Sequence, residues 1–454
     1  MRPPQPISLR ERTAPLEAVQ PKQTGSEAPF YTVLLYILLE FSRPQDVVPG
    51  LAYLYLPMLT LIVIGLMLVM SGNVNFSNKQ TLLFLPLLGL MVIHGPIAVN
   101  NYAALMIFKG MGLNFIACLA VITFVNSFRK METLVGLWLG VHVFLAIIGT
   151  LKGGKGVGGW LGDENDFCMQ LNMVIPFAYF GLFWASNKVK KITFAGLLCL
   201  YILAAMTTLS RGGFLGMAAV GAFCWAQSSR KVLSAFLVFL LIGFILLAAP
   251  DKYWSEIAST TSDQNLETGT GAERLYTWEV GWDMFLANPI IGVGQGNFQW
   301  VFSEYEAGRQ FLGRSIAGRA AHSAYFTLLP ELGLVGLCIF VSMLYLTRRD
   351  LVLIYRSYRY GATEGMELGR IIDLKKAYFY ANAMQASIIG YLVTSIFIST
   401  LYYPSFWIMM GFAVALRNIT VRDLASNFKT SSGLSCSQLI NRQQTESRGS
   451  SKSV

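Results

Sequence analysis

Long apolar runs recur along nearly the whole chain, separated by short polar or glycine-containing stretches. Most are close to the about 20 residues that an α-helix needs to cross the hydrocarbon core of a bilayer. The pattern predicts an all-α integral membrane protein with about twelve transmembrane helices. The predicted spans are 29–42, 51–71, 81–99, 103–126, 132–151, 166–186, 191–209, 213–227, 231–249, 322–346, 377–400 and 403–416.

Both ends of the chain are polar. Residues 1–28 lack a short apolar core followed by small residues, so we expect no cleavable signal peptide and interpret the first span as an anchor. Residues 417–454 are rich in Ser, Arg and Gln and contain little apolar surface. Such a composition predicts a disordered tail.

Composition and charge support this class and add an orientation. Hydrophobic residues make up 54% of the chain and charged residues only 13%. Most lysines and arginines fall in the two tails and in every second loop, which by the positive-inside rule are cytoplasmic. Spans one to nine then occupy 29–249, spans ten to twelve occupy 322–416, and 250–321 is one large extracytoplasmic loop. The net charge of +10 reflects this topology and does not indicate nucleic-acid binding.

The extracytoplasmic loop contains a predicted amphipathic helix. The stretch from Thr270 to Glu273 has the spacing of a capping box, which marks the start of a helix. The apolar residues that follow share one helical face and predict contact with the membrane surface. These residues are Leu275, Trp278, Trp282, Phe285 and Leu286.

Glycines and arginines dominate the rest of that loop. Alternating glycines in 292–298, GVGQGNF, predict a flexible turn. Arg309, Arg314 and Arg319 follow at a spacing that keeps them off a common helical face, so we interpret them as solvated or facing lipid headgroups. Arg319, three residues before a histidine, is an auxiliary site candidate.

The candidate chemistry lies at the predicted outer edge of the membrane. Arg211 occupies a tight hairpin, where it is either a snorkelling anchor or an anion ligand. Arg274 falls in the first turn of the amphipathic helix, where the helix dipole disfavours a cation unless an anion is close. Arginine donates two parallel hydrogen bonds to phosphate, and a neutral His322 can accept a proton from a hydroxyl. Together these residues suggest glycosyl transfer from a lipid diphosphate.

Other ionisable residues have simpler interpretations. For His94 and His142, which lie inside spans, we favour hydrogen bonds between helices. Lys109 either snorkels outward or lies near the diphosphate. Glu331 lies nine residues after His322, about 13 Å deeper on the opposite helical face, so a direct His–Glu pair is not expected. The outer loops show no His/Cys cluster with metal-ligand spacing and no Asp-x-Asp pair, so we expect chemistry without a metal or other cofactor.

Pro330 and two following glycines suggest that the residues around Glu331 shape the helix bundle. Proline removes a backbone donor and is expected to kink the helix at Pro330. Gly333 and Gly336 are expected to let another helix approach closely.

Four stretches resemble the bacterial O-antigen ligase and polymerase superfamily. They are LSRGGFLGM at 209–217, ERLYTWEVGWDMFLANPIIGVGQGNF at 273–298, AHSAYFTLLPELGLVG at 321–336, and the Asn-containing start of a middle span in the region 158–180. The resemblance implies a catalytic histidine at His322 and diphosphate-binding arginines at Arg211 and Arg274. It also marks Asn165 as an auxiliary candidate. Ser323 stands where the family commonly has asparagine.

The resemblance further implies the substrates and the location. The donor would be a glycan on undecaprenyl diphosphate, and the acceptor a hydroxyl of lipid A-core or another glycan. Transfer would invert the anomeric carbon, without metal, at the periplasmic face of the bacterial inner membrane. A polymerase of the same superfamily is the alternative, and a protein O-glycosylation ligase or a small-solute transporter stays open. Membrane lipids are the other expected partners.

Overall fold

The computed structural model describes residues 26–72, 74–228, 231–232, 269–306, 308–360 and 368–432. These residues form fourteen α-helices and two short 3₁₀ helices, Leu51–Leu54 and Gly159–Leu161, and no strand beyond one isolated bridge. The α-helices are α1 Ala28–Ser42, α2 Pro44–Val47, α3 Leu56–Ser71, α4 Lys79–Ile97, α5 Asn101–Phe124, α6 Phe128–Leu151, α7 Glu164–Trp184, α8 Lys188–Thr207, α9 Arg211–Gln227, α10 Thr270–Ala287, α11 Phe298–Glu306, α12 Tyr325–Tyr360, α13 Leu368–Thr394 and α14 Pro404–Ser432.

The prediction of an all-α membrane protein is confirmed. Eight described helical segments are long and apolar enough to cross a bilayer. The predicted span 231–249 lies almost entirely outside the described residues, while α1 and α9, with 15 and 17 residues, are short. The total of twelve crossings and the side on which each loop lies therefore stay predictions.

Several helices begin a few residues before the apolar run that predicted them. Polar N-caps explain the difference, because a side-chain oxygen accepts a hydrogen bond from a free amide of the first turn and extends the helix into the polar flank. Helices α5 to α9 all begin this way. Their caps are Asn100, Ser127, Asp163, Asn187 and Ser210.

Residues Pro29–Thr420 form one compact unit, and its core is built around α7 and α14. Helix α7 is buried on nearly all sides and packs against α8, α9 and α13. Asn172 on α7 donates to the Gly213 carbonyl of α9 at 2.8 Å and to Thr394 of α13 at 3.2 Å. Such bonds satisfy polar groups within an apolar bundle and fix how the three helices meet.

The C-terminal tail begins later than predicted. Helix α14 continues to Ser432, so the prediction of a disordered tail from 417 is wrong for residues 417–432. Ile419 and Thr420 are still buried, with exposed fractions of 3% and 0%, which explains why the helix extends past the apolar run. Residues 433–454 lie outside the described residues.

Helix α12 is broken, but not where the sequence suggested. Gly333, and not Pro330, is the non-helical residue, with φ 61° and ψ −161°. The break lets the backbone of 289–294 pair with α12. Val293 and Gly294 donate to the carbonyls of Pro330 and Glu331, at 2.8 and 3.0 Å. On the other side of the break, the amides of residues 334 and 335 donate to the carbonyls of residues 289 and 290.

The predicted outer loop folds around a small core of its own. Helices α10 and α11 and the segment 308–321 bury one cluster of apolar residues. The amphipathic helix begins after Gly269, and no side chain caps it, so the capping box predicted at Thr270 is wrong. The carboxylate of Glu273 instead pairs with Arg319 at 3.0 Å. Of the predicted apolar face, Leu275, Trp282 and Leu286 are exposed, whereas Phe285 is buried, and contact with the membrane surface stays a prediction.

Replacing Gly333 by alanine should destabilise the protein. The residue has a positive φ, and a Cβ atom there would collide with the backbone carbonyl of Ile290. We expect a loss of about 1 to 3 kcal/mol, measured as a lower melting temperature of the purified protein. Gly140→Ala is the control, because a Cβ atom at that helical position meets nothing within 4 Å. Equal melting temperatures for the two variants would contradict this account of the break.

Candidate functional site

Arg211 is the first residue of α9, and its neighbours hold it in place. Ser210 caps the helix by accepting from the Gly213 amide at 3.0 Å, and its hydroxyl donates to Asn165 at 2.7 Å. A side chain at Gly213 would collide with Cys168 of α7. The hairpin therefore packs directly on α7, and this contact places the predicted auxiliary residue Asn165 next to Arg211.

His322 lies in a tight turn just before α12. Its φ is 46°, in the left-handed region that non-glycine residues rarely adopt. Contacts on both sides support this conformation. Trp278 of α10 donates to the Ala321 carbonyl at 2.9 Å, and the Ala324 amide donates to the Ser395 carbonyl at 2.8 Å. The turn is thus held between α10 and the end of α13.

Ser323, where the resemblance implies asparagine, has a structural role. Its side chain is buried, and its hydroxyl accepts from the Phe326 amide at 3.4 Å in the first turn of α12. Serine and asparagine are both favoured at helix N-termini for this reason. Serine is therefore compatible with the start of α12 at this position.

The structure brings the three principal predicted residues together. Arg274 interacts electrostatically with Arg211 and with Asp163. His322 interacts with Arg274, Asp163, Arg319 and Glu273. We call these six residues the cationic cluster: Asp163, Arg211, Glu273, Arg274, Arg319 and His322. Its members come from four separate parts of the chain.

The surroundings of His322 favour the neutral form of its imidazole. The surrounding protein desolvates the imidazole, and the positive charge of Arg274 adds to this effect, so the pKa of His322 lies below its ordinary value. The ring remains exposed to solvent on one side. Desolvation and the charge of Arg211 also lower the pKa of Arg274, although a guanidinium stays protonated at any physiological pH. A neutral base therefore lies beside fixed cations.

Two predicted auxiliary residues lie elsewhere. Lys109 is exposed on α5, and among the described residues no ion pair with it is found. Glu331 is buried, and its carboxylate accepts from the amides of Gly296 and Phe298 at 2.7 and 3.1 Å and from the Tyr402 hydroxyl at 2.6 Å. These contacts are consistent with the expectation that His322 and Glu331 do not pair directly. Glu331 instead bonds the backbone of the glycine-rich segment and Tyr402.

The glycine-rich segment 292–298 is fixed in place, so the prediction of a flexible turn is wrong. Gln295 is fully buried and donates to the carbonyls of Met91 and Ala104 at 2.9 and 3.2 Å. Its oxygen lies 2.8 Å from Nδ1 of His94. The glycines on either side have positive φ values, which lets the backbone insert between α4 and α5.

The two histidines inside helices behave differently. His94 bonds to the inserted segment and not to another helix, so that prediction is wrong for His94. His142 of α6 lies 2.9 Å from the Gln170 amide of α7, a bond between two helices, as predicted.

Asp163 is the cluster member that the sequence interpretation missed. It caps α7 and interacts with both Arg274 and His322. The signal was present in the acidic stretch GDENDF, but nothing in that stretch indicated that it would fold toward residues 274 and 322. The described residues contain no group of three His, Cys, Asp or Glu that could hold a metal ion.

Fold and site together define a multi-span membrane protein with a cationic cluster around a histidine. Residues 194–341 match the family model described as O-antigen ligase. The match covers about a third of the chain and includes Arg211, Arg274 and His322. The chain therefore carries an O-antigen ligase family region, which confirms the resemblance. A comparison with curated proteins gives no match.

Changing the charges around His322 should move its pKa in opposite directions. Arg274→Gln removes a nearby positive charge and should raise the pKa, whereas Asp163→Asn removes a negative charge and should lower it. Because the protein has only three histidines, NMR titration of labelled histidine is practical. Arg314→Gln is the control, since Arg314 is not among the charges that act on His322. A shift in the same direction for both variants would contradict the proposed arrangement.

Proposed function

We propose that the protein is an inverting, metal-independent glycosyltransferase of the O-antigen ligase type. It transfers a glycan from undecaprenyl diphosphate to a hydroxyl of lipid A-core or a similar acceptor. The reaction takes place at the periplasmic face of the bacterial inner membrane, with both chain termini in the cytoplasm. The family match supports a ligase- or polymerase-type function. The specific donor, acceptor and orientation are our proposal.

The observation that carries this proposal is the placement of two arginines beside a neutral histidine. The positive charge of Arg211 acts on Arg274, and Arg211 lies at the positive end of the α9 dipole. A dianionic ligand between them would relieve that repulsion. The planar forks of two arginines match the several oxygens of a diphosphate.

We assign the role of general base to His322. In the proposed step the neutral imidazole takes the proton of the acceptor hydroxyl as its oxygen attacks the anomeric carbon. The bond from that carbon to the diphosphate oxygen breaks, and undecaprenyl diphosphate leaves with the bonding electrons. Arg211 and Arg274 stabilise the charge on the leaving group. A single displacement of this kind inverts the anomeric carbon.

Auxiliary roles follow from the contacts of the other cluster members. Arg319 is paired with Glu273, which limits its movement at the open side of His322. Asn165 reaches Arg211 through Ser210, so we assign it the positioning of the hairpin. Lys109 and Glu331 receive no role in the chemistry.

Separate replacement of the three principal residues should abolish transfer. We expect His322→Ala, Arg211→Ala and Arg274→Ala each to lower the rate by roughly 100-fold or more, because each removes a base or a leaving-group ligand. The measurement is glycan transfer by purified protein, with the amount of folded protein checked. Arg314→Ala is the matched control and should keep the wild-type rate.

The same assay also tests metal independence. Wild-type protein treated with EDTA should keep its rate. Normal transfer by all three alanine variants would contradict the proposed site. Loss of transfer in EDTA that a divalent cation restores would contradict the metal-free mechanism.

Gene deletion should distinguish a ligase from a polymerase. Loss of a ligase leaves long glycans attached to the lipid carrier, because transfer to the acceptor fails. The lipopolysaccharide then lacks its glycan cap. Loss of a polymerase leaves lipopolysaccharide capped with single repeats. We expect the first phenotype, measured by electrophoresis of lipopolysaccharide and of carrier-linked glycan. Single-repeat caps would instead assign the same chemistry to polymerisation.

A further inference from the structure

A second group of polar and aromatic residues lies beside the cationic cluster. The ring centroids of Trp160 and Tyr403 are 5.4 Å apart, with the planes inclined at 52°. The Tyr403 hydroxyl donates to the carboxylate of Asp166 at 3.4 Å. The three residues come from the loop before α7, the residue before α14 and the first turn of α7. We call them the aromatic–acid group.

Trp160 is held in one orientation. Its indole N–H donates to Glu40 of α1 at 2.9 Å, and its ring meets Phe41 edge-on at a centroid distance of 5.6 Å. The neighbouring Gly159 packs so closely that a Cβ atom there would collide with Arg43. The indole therefore offers a fixed apolar surface next to Tyr403, which reduces the entropy lost when a ligand binds.

Asp166 has an unused acceptor. Its exposed fraction is 6%, and its hydrogen bond with Tyr403 is long. The other carboxylate oxygen, Oδ1, has no donor among the described residues, and no ion pair with Asp166 is found among them. A buried carboxylate without adequate donors is costly and is usually retained where a ligand supplies one. A carboxylate in this setting accepts hydrogen bonds from hydroxyl groups.

We propose that Trp160, Tyr403 and Asp166 form a binding subsite for one uncharged sugar ring. The inference rests on the proposed function and adds to it the class of sugar that lies beside the reacting bond. The two aromatic rings would cover the apolar C–H face of a pyranose, and a sugar hydroxyl would donate to Asp166. Aromatic surface combined with a few fixed polar groups is the usual composition of a small-molecule site.

Charge selects an uncharged sugar for this subsite. Trp160 bonds to Glu40, and Asp166 interacts with Asp163, whereas the nearby Arg43 pairs with Asp46 and Glu40. An acidic sugar would be repelled by these carboxylates, which disfavours it relative to an uncharged sugar.

Asp163 connects the subsite to the cationic cluster. It interacts electrostatically with Asp166 and Tyr403 on one side, and with Arg274 and His322 on the other. A sugar bound on the surface that the two aromatic rings form is therefore adjacent to the proposed reaction centre. It belongs either to the donor glycan or to the acceptor, and kinetics distinguish these two sources.

The kinetic test uses Trp160→Leu and Asp166→Asn, with Trp300→Leu as the matched control on the exposed surface of α11. We expect each subsite variant to raise one KM about tenfold while kcat changes little, because the lost contacts bind the sugar and do not act on the breaking bond. A higher donor KM assigns the subsite to the donor glycan, and a higher acceptor KM assigns it to the acceptor. Unchanged values of both KM overturn the proposal.

Direct binding provides a readout that does not depend on transfer. Saturation-transfer NMR on the purified protein would use methyl glucoside and methyl galactoside, with methyl glucuronide as the acidic probe. Wild-type protein and the Arg274→Ala variant should bind the neutral sugars and not the glucuronide, whereas Asp166→Asn and Trp160→Leu should lose the signal.

The outcomes separate this inference from the proposed function. Absence of a neutral-sugar signal in the wild type, or an equal signal in folded Asp166→Asn and Trp160→Leu, overturns the subsite. Neutral-sugar binding by a wild-type protein that transfers no glycan supports the subsite and overturns the transferase proposal.

Discussion

Backbone amides and carbonyls inside a bilayer must find partners within the protein, and α12 shows how this constraint organises the molecule. The helix is broken at Gly333, which frees amides and carbonyls at membrane depth. The segment 289–294 supplies the missing partners by pairing with residues on both sides of the break. The carboxylate of Glu331 accepts hydrogen bonds from two further amides, those of Gly296 and Phe298, which follow this segment. The broken helix and the inserted segment therefore depend on each other.

This pairing has a consequence for the site. Residues 289–294 directly follow α10, so their insertion ties α10 to α12. Trp278 of α10 then bonds the Ala321 carbonyl beside His322, and its ring stacks on Phe326 in the first turn of α12. Arg274 lies one turn before Trp278 on the same helix. Residues 330–336 of the 321–336 motif thus determine where His322 and Arg274 meet.

Much of the fold could be predicted because the relevant signals are local. An apolar run of membrane length or a polar cap before a helix is a property of neighbouring residues, so the first eight span positions were close, whereas α12, α13 and α14 depart from their predicted bounds. Predictions failed where a local signal competed with a distant partner. Glu273 pairs with Arg319 in place of a capping box, and Gln295 anchors a segment that glycine content alone marks as flexible.

The sequence by itself determined the membrane class, most helices and the candidate residues Arg211, Arg274 and His322, because hydropathy and side-chain chemistry are properties of the residues themselves. Only the tertiary structure decided which of these residues meet. It added Asp163 to the cluster, gave Glu331 other partners, and placed Trp160 beside Tyr403. The physical reason is that such contacts join residues far apart in the chain, and they form only when helix packing and buried hydrogen bonds are satisfied together.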